Sequence, residues 1–128
     1  MTPKVYNILL DGTQIGTTLL EAHDAPMGVV FGEIKFDAIT SGYDFFKAYC
    51  QQHNLHLLAD NATDRLLSTP HLPGLRVISP TGVEIAGTSL SVSGMDADVF
   101  TLDIAGVEYP FYEEEFPHHV AAYNKQFE

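Results

Sequence analysis

The stretch spanning residues 76–104, RVISPTGVEIAGTSLSVSGMDADVFTLDI, decides the reading of this chain. Apolar and β-branched residues alternate there with small polar ones, the period of a strand with one face toward a core. Turn residues cut the pattern at Pro80-Thr81-Gly82, Gly87 and Gly94, and Ala105-Gly106 closes it. The spacing predicts strands over 76–79, 83–86, 88–93 and 99–104. Parallel neighbours need crossovers of a dozen residues or more, which these connections are too short to supply. An antiparallel meander is the economical arrangement.

Working outward, the N-terminal third has the same character. Val5, Ile8 and Leu10 run into Asp11-Gly12, a dipeptide suited to a tight hairpin turn, and a second strand is predicted over 13–21. The 23–28 segment, with Pro26 and Gly28, breaks the pattern. Val29, Val30, Phe31, Ile34 and Phe36 then resume it around Gly32, a position for a bulge or a close backbone approach. A helix starts near Ser41, with Asp44 three residues on as a capping partner. Phe46, Tyr49, Cys50 and His53 fall on one face of it. Asp60 or Asn61 is placed to cap a second, shorter helix through Leu66 and Leu67, ended by Pro70 and Pro73. A final helix is predicted from Pro117, after Glu113–Glu115, with Val120, Tyr123 and Phe127 on a common face. The expected class is α+β, a mainly antiparallel sheet with two or three helices packed on it, in a single domain over 1–128.

Composition narrows the function classes. The chain has 128 residues, 45% of them hydrophobic, so it can bury a core without metal or disulfide staples. Cys50 is the only cysteine, which fits a reducing compartment and a buried structural thiol. The N-terminus lacks a signal-peptide pattern, and no apolar run approaches the length of a membrane span, so cytoplasmic residence is expected. The net charge is −11. Between Arg76 and Lys125 there is no Lys or Arg, yet the interval holds Glu84, Asp96, Asp98, Asp103, Glu108, Glu113, Glu114 and Glu115. Such a field repels nucleic acid and anionic membrane and steers a basic partner. The six cations, Lys4, Lys35, Lys47, Arg65, Arg76 and Lys125, form no basic patch in the sequence.

Catalytic and cofactor signatures are absent: there is no GxxxxGK[ST] loop, GxGxxG fingerprint or GxSxG elbow, and no cofactor or metal is expected. His118 and His119 are adjacent, so on a helix their side chains diverge by about 100° and do not share a metal readily. His53 and His56 lack a third ligand, and His71 stands alone in a proline-flanked loop. Asp96 and Asp98 lack the twelve-residue loop of a calcium site. Glu21, His23 and Asp24 form the densest acid and imidazole group of the first half, but no nucleophile accompanies them.

Two blocks carry a resemblance. Ile15-Gly16, Leu20-Glu21, Asp24, Pro26-Met27-Gly28-Val29 and Gly32, with Tyr112 through Val120 and Tyr123, resemble a family of small, largely uncharacterised bacterial proteins. Some proteins of that kind are similar to immunity or antidote proteins of polymorphic toxins. The resemblance implies binding to a toxin and supplies no catalytic residue.

The expected function is therefore a noncatalytic acidic domain that occludes a basic protein. Asp96, Asp98, Glu108, Glu113, Glu114 and Glu115 would meet Lys or Arg, and Tyr109, Phe111 or Tyr112 would anchor. The alternative is a small enzyme or ligand-binding domain with a pocket between sheet and helix, bearing Glu21, His23, Asp24 and His118 at its mouth. A third reading is a homo-oligomer formed through an exposed strand edge.

Overall fold

The computed structural model describes residues 4–24, 28–109 and 111–125. The elements run β1 (Tyr6–Leu10), β2 (Thr13–Thr18), β3 (Ala22–Asp24), β4 (Val29–Glu33), β5 (Lys35–Phe36), α1 (Gly42–Gln52), β6 (Ala59–Asn61), β7 (Leu66–Ser68), β8 (Leu75–Ile78), β9 (Ser89–Met95), β10 (Phe100–Ala105), α2 (Phe111–Glu115) and α3 (Pro117–Lys125). They form an α+β fold with two antiparallel sheets, ordered β5-β2-β1-β8 and β3-β4-β10-β9-β7-β6. No helix is long and apolar enough to cross a membrane.

Alternation works as the sequence predicts. Tyr6, Ile8 and Leu10 of β1, Leu90 and Val92 of β9, and Phe100, Leu102 and Ile104 of β10 all point into one core cluster, which both sheets share. The β1–β2 hairpin turns at Asp11 and Gly12, whose φ angles of 50° and 85° give the paired positive values of a tight primed turn. Gly32 is the predicted close approach, since a Cβ there would collide with the Thr18 hydroxyl and the Glu21 carboxylate. Ser41 caps α1, its Oγ accepting from the Asp44 amide at 3.1 Å. The helix lies against β7 and β9, burying Tyr43, Phe46 and Cys50.

Three predicted elements differ. The 76–104 stretch is not one meander: only β9 and β10 pair as neighbours, while β8 leaves to pair with β1 in the other sheet. Residues 83–86 contribute a single bridge, Ile78 to Glu84, with the Ile85 amide donating to the Val77 carbonyl at 2.8 Å. The helix expected around Asp60 to Leu67 is a hairpin, β6–β7. Asn61 does cap, but it caps the turn: its Oδ1 accepts from the Asp64 amide at 3.1 Å, and Arg65 adopts φ 50° to bring Leu67 into the core opposite Gly94. Asx chemistry that starts a helix also closes a turn, and the period does not separate the two over so few residues.

His23 and Asp24, expected to break the strand pattern, pair with Val30 and Val29 in β3. The predicted Pro26 and Met27 features lie outside the described residues, as does Phe127. Glu113–Glu115 form part of a short helix of their own, α2, ahead of α3.

Candidate functional site

The six carboxylates of the expected face divide between the two ends of the β9–β10 hairpin. Asp96 and Asp98 lie in its turn, whereas Glu108 and α2 follow the other end of β10, six residues or roughly 20 Å away at ~3.3 Å per residue. The predicted single acidic face is thus two separate sites.

At the turn, Asp96 is held by the chain itself. Its carboxylate accepts from the Ser41 hydroxyl (2.6 Å), the Tyr43 amide (3.0 Å) and Arg65 Nε (2.7 Å). The Arg65 Nη2 reaches on to Asp44 (2.7 Å) and Ser41 (2.8 Å). Partial burial opposes ionisation of Asp96, but these donors hold its carboxyl below the usual range. Asp98 is exposed beside it.

The far end is differently built. Tyr112 is fully buried, its hydroxyl donates to the Val29 carbonyl at 2.8 Å, and burial pushes its phenol up to about 12. It is a core residue, which corrects its expected role as a surface anchor. Tyr109 is 48% exposed and stacks on Tyr112 with ring centres 5.4 Å apart. Burial and then the charge of Glu113 raise its phenol. Phe111 walls a cleft of about 360 Å³ with Glu84, Gly87, Thr88, Gly106 and Glu108. Glu115 is withdrawn from this surface, accepting from Lys4 Nζ (2.8 Å) and the Tyr6 hydroxyl (2.7 Å).

Cation placement separates the two ends. Lys4 pairs with Glu115, Lys47 with Asp60, Arg65 with Asp44 and Asp96, and Arg76 with Glu84. Four of the chain's six Lys and Arg are committed in this way. Among the described residues no cation pairs with Glu108, Glu113 or Glu114.

The alternative pocket residues do not converge on one mouth. Glu21 and His118 do border a common groove of about 640 Å³, with Leu19, Glu114, Phe116 and His119. His23 sits behind this wall, its ring stacked on His119 at 4.6 Å. Its Nδ1 is buried without a hydrogen-bond partner. Asp24 is exposed on β3, where its charge reaches Tyr112.

His119, weighed in the sequence only as a poor metal partner of His118, is a buried core residue. It is 3% exposed, and its Nε2 lies 2.8 Å from the Leu20 carbonyl. A carbonyl only accepts, so Nε2 carries the proton. Burial keeps this imidazole below its ordinary pKa, assisted by His118 and His23 and opposed by the Leu20 bond and Glu21. The available signal was the spacing of Phe116, His119, Val120 and Tyr123 along one helical face, with the histidine on its inner side.

Cys50, His53 and His71 are accounted for by the fold. Cys50 is 1% exposed, and burial raises its thiol. His53 stacks on Tyr49 and lies 3.6 Å from Asp11, His56 is exposed, and His71 Nδ1 accepts from the Leu90 amide at 3.0 Å. Among the described residues no group of three or more His, Cys, Asp or Glu could hold a metal ion. Comparison of the chain with protein-family models, curated proteins and solved structures returned no match.

Proposed function

We propose that this protein is a noncatalytic binding domain that receives a basic protein on the surface formed by Glu108, Tyr109, Phe111 and Glu113. The observation that carries the reading is the exposed Tyr109 ring set between carboxylates with no ion-pair partner among the described residues, next to the Phe111 cleft. An aromatic anchor of few rotamers flanked by charge suits an interface centre. The cleft admits a Lys or Arg stem with Glu108 at its wall, Glu84 being already paired with Arg76. Asp96 is left out of this surface because Ser41, the Tyr43 amide and Arg65 already hold it, and Glu115 because Lys4 and Tyr6 do. In its most specific form the partner is a basic toxin, and binding occludes its active surface.

The test is capture from source-cell lysate at low and moderate salt, followed by titration of the captured basic protein against wild type, Y109A and E108Q/E113Q. The expected outcome is stoichiometric capture, a loss of at least roughly tenfold in affinity for each variant, and a shallower salt dependence for E108Q/E113Q. Inhibition of the partner's activity supports the toxin form. Affinity unchanged in both variants removes this face from consideration.

A further inference from the structure

The last helix is docked by one ionisable group. Among the described residues of α3 only His119 is buried, while Val120 and Tyr123 are half-buried and the rest are exposed. The His119 ring lies between His23 of β3, at 4.6 Å, and Phe116, at 5.5 Å, with His118 at 4.2 Å. Its Nε2–H donates to the carbonyl of Leu20, a bulky residue at φ 47° in the link from the first sheet to the second. A left-handed backbone at leucine is strained and persists where its surroundings hold it. One imidazole thus ties α3 both to β3 and to this strained link.

Two features tie this contact to neutral rings. A second proton on His119 puts a charge on a group only 3% exposed, against two further imidazoles. Across the stack, His23 Nδ1 is buried with no hydrogen-bond partner among the described residues, so a proton placed there meets no acceptor. The charged groups around the stack do not reverse this. Glu21, held by the Glu33 amide at 2.9 Å, favours a charged His119, but burial outweighs it. On the same groove Glu115 is taken up by Lys4 and the Tyr6 hydroxyl, and Glu114 is exposed.

We propose that the His23–His119 stack is a pH-operated latch, closed while its rings are neutral and opened by protonation, which releases α3 from β3 while both sheets stay folded. The hinge is Phe116, between the end of α2 and the start of α3. Tyr112 and Phe116, 0% and 1% exposed, keep α2 in the core when α3 leaves. The surface of Glu108, Tyr109, Phe111 and Glu113 lies on the held side of the hinge, so the latch does not depend on what that surface receives.

The test is amide hydrogen exchange of the full chain at pH 7.5, 6.5 and 5.5, expressed as protection factors so that the intrinsic effect of pH on exchange is removed. The ring-nitrogen shifts of the histidines are followed over the same range. The expected result is a loss of protection of about fivefold or more across residues 117–125, coincident with proton uptake by His119, while β9 and β10 remain better protected. H119Q still offers an N–H to the Leu20 carbonyl but cannot charge, and its α3 protection stays level. Protection of α3 that holds while His119 takes up its proton overturns the proposal. So does equal protection of α3 and β9–β10 at every pH, which is global unfolding, or an H119Q helix that opens with acid as wild type does. If H119Q leaves α3 open even at pH 7.5, the wild-type curves decide: coincidence of ring titration and opening supports the latch, and separation of the two overturns it.

Discussion

The two ends of the β9–β10 hairpin carry the same residue type in opposite employment. At the turn, Asp96 joins three parts of the fold, because Arg65 leans across from the β6–β7 hairpin and Ser41 offers the cap of α1. At the other end Glu108 adjoins two stacked tyrosines, one sealed in the core and one open, and the charge of Glu113 reaches the open one. Carboxylates become structure where a cation and several donors are already placed, and surface where none is. The contrast lies in the neighbours and not in the acids.

The comparison breaks most visibly at the tyrosine pair. Tyr112→Ala should cost about 3–5 kcal/mol in urea unfolding, as for a large aromatic removed from a core, and Tyr109→Ala should cost little while abolishing partner capture. Equal destabilisation by the two would erase the distinction. Next in size, Asp96→Ala strips an acceptor from three donors and should lower stability by about 1–2 kcal/mol, allowing for its partial exposure. E113Q/E114Q should be neutral or slightly stabilising, through relief of like charge. A loss in the double variant comparable to that of Asp96→Ala would mean that the far end is structural as well.

The pH dependence is a smaller effect. The folded-state pKa of His119 lies below its unfolded value of about 6.5, so the unfolded chain binds the extra proton first. Its contribution is fully present above about pH 6.5 and is lost as pH falls below that value, levelling off once the folded-state pKa is passed. His118, His23 and Glu21 face the same ring, so the shape of the curve belongs to the cluster. Stability measured at pH 7.5 and 5.5 should fall for wild type, with a shallower fall in His119→Gln; equal slopes would show that the His119 ring is not the group responsible.

Much of this was legible in the residues. Period-two alternation found β1, β4, β9 and β10, Asp11-Gly12 found the first hairpin, and Ser41 with Asp44 found α1, because each signal is local. The partner of β8 was not, since which strand Leu75 and Val77 lie against depends on the path of the chain through the β1–β2 hairpin. The β6–β7 hairpin was missed for a different reason: Asn61 gives the same capping signal for a turn as for a helix. In the acidic face, sequence supplied the carboxylates and the aromatics but not their accounting. That Asp96 and Glu115 are spoken for rests on Arg65 and Lys4, distant in the chain and brought near only by the fold. The groove rests on His119 and Leu19, whose surroundings are equally non-local.

The lengths of the outermost strands have a further consequence. Both sheets taper: one ends in β5 with two residues and β8 with four, the other in β3 and β6 with three each. The β8 margin is also partly covered by the Ile78–Glu84 bridge and the Ile85 amide. A foreign strand seeking to extend either sheet would find only a few ladder positions, bordered by Lys35, Asp24 and Asp60. Short, charged margins of this kind discourage edge-to-edge polymerisation. A protein crowded at high concentration, or briefly opened by heat, would then return to its own fold more readily than it would seed fibres.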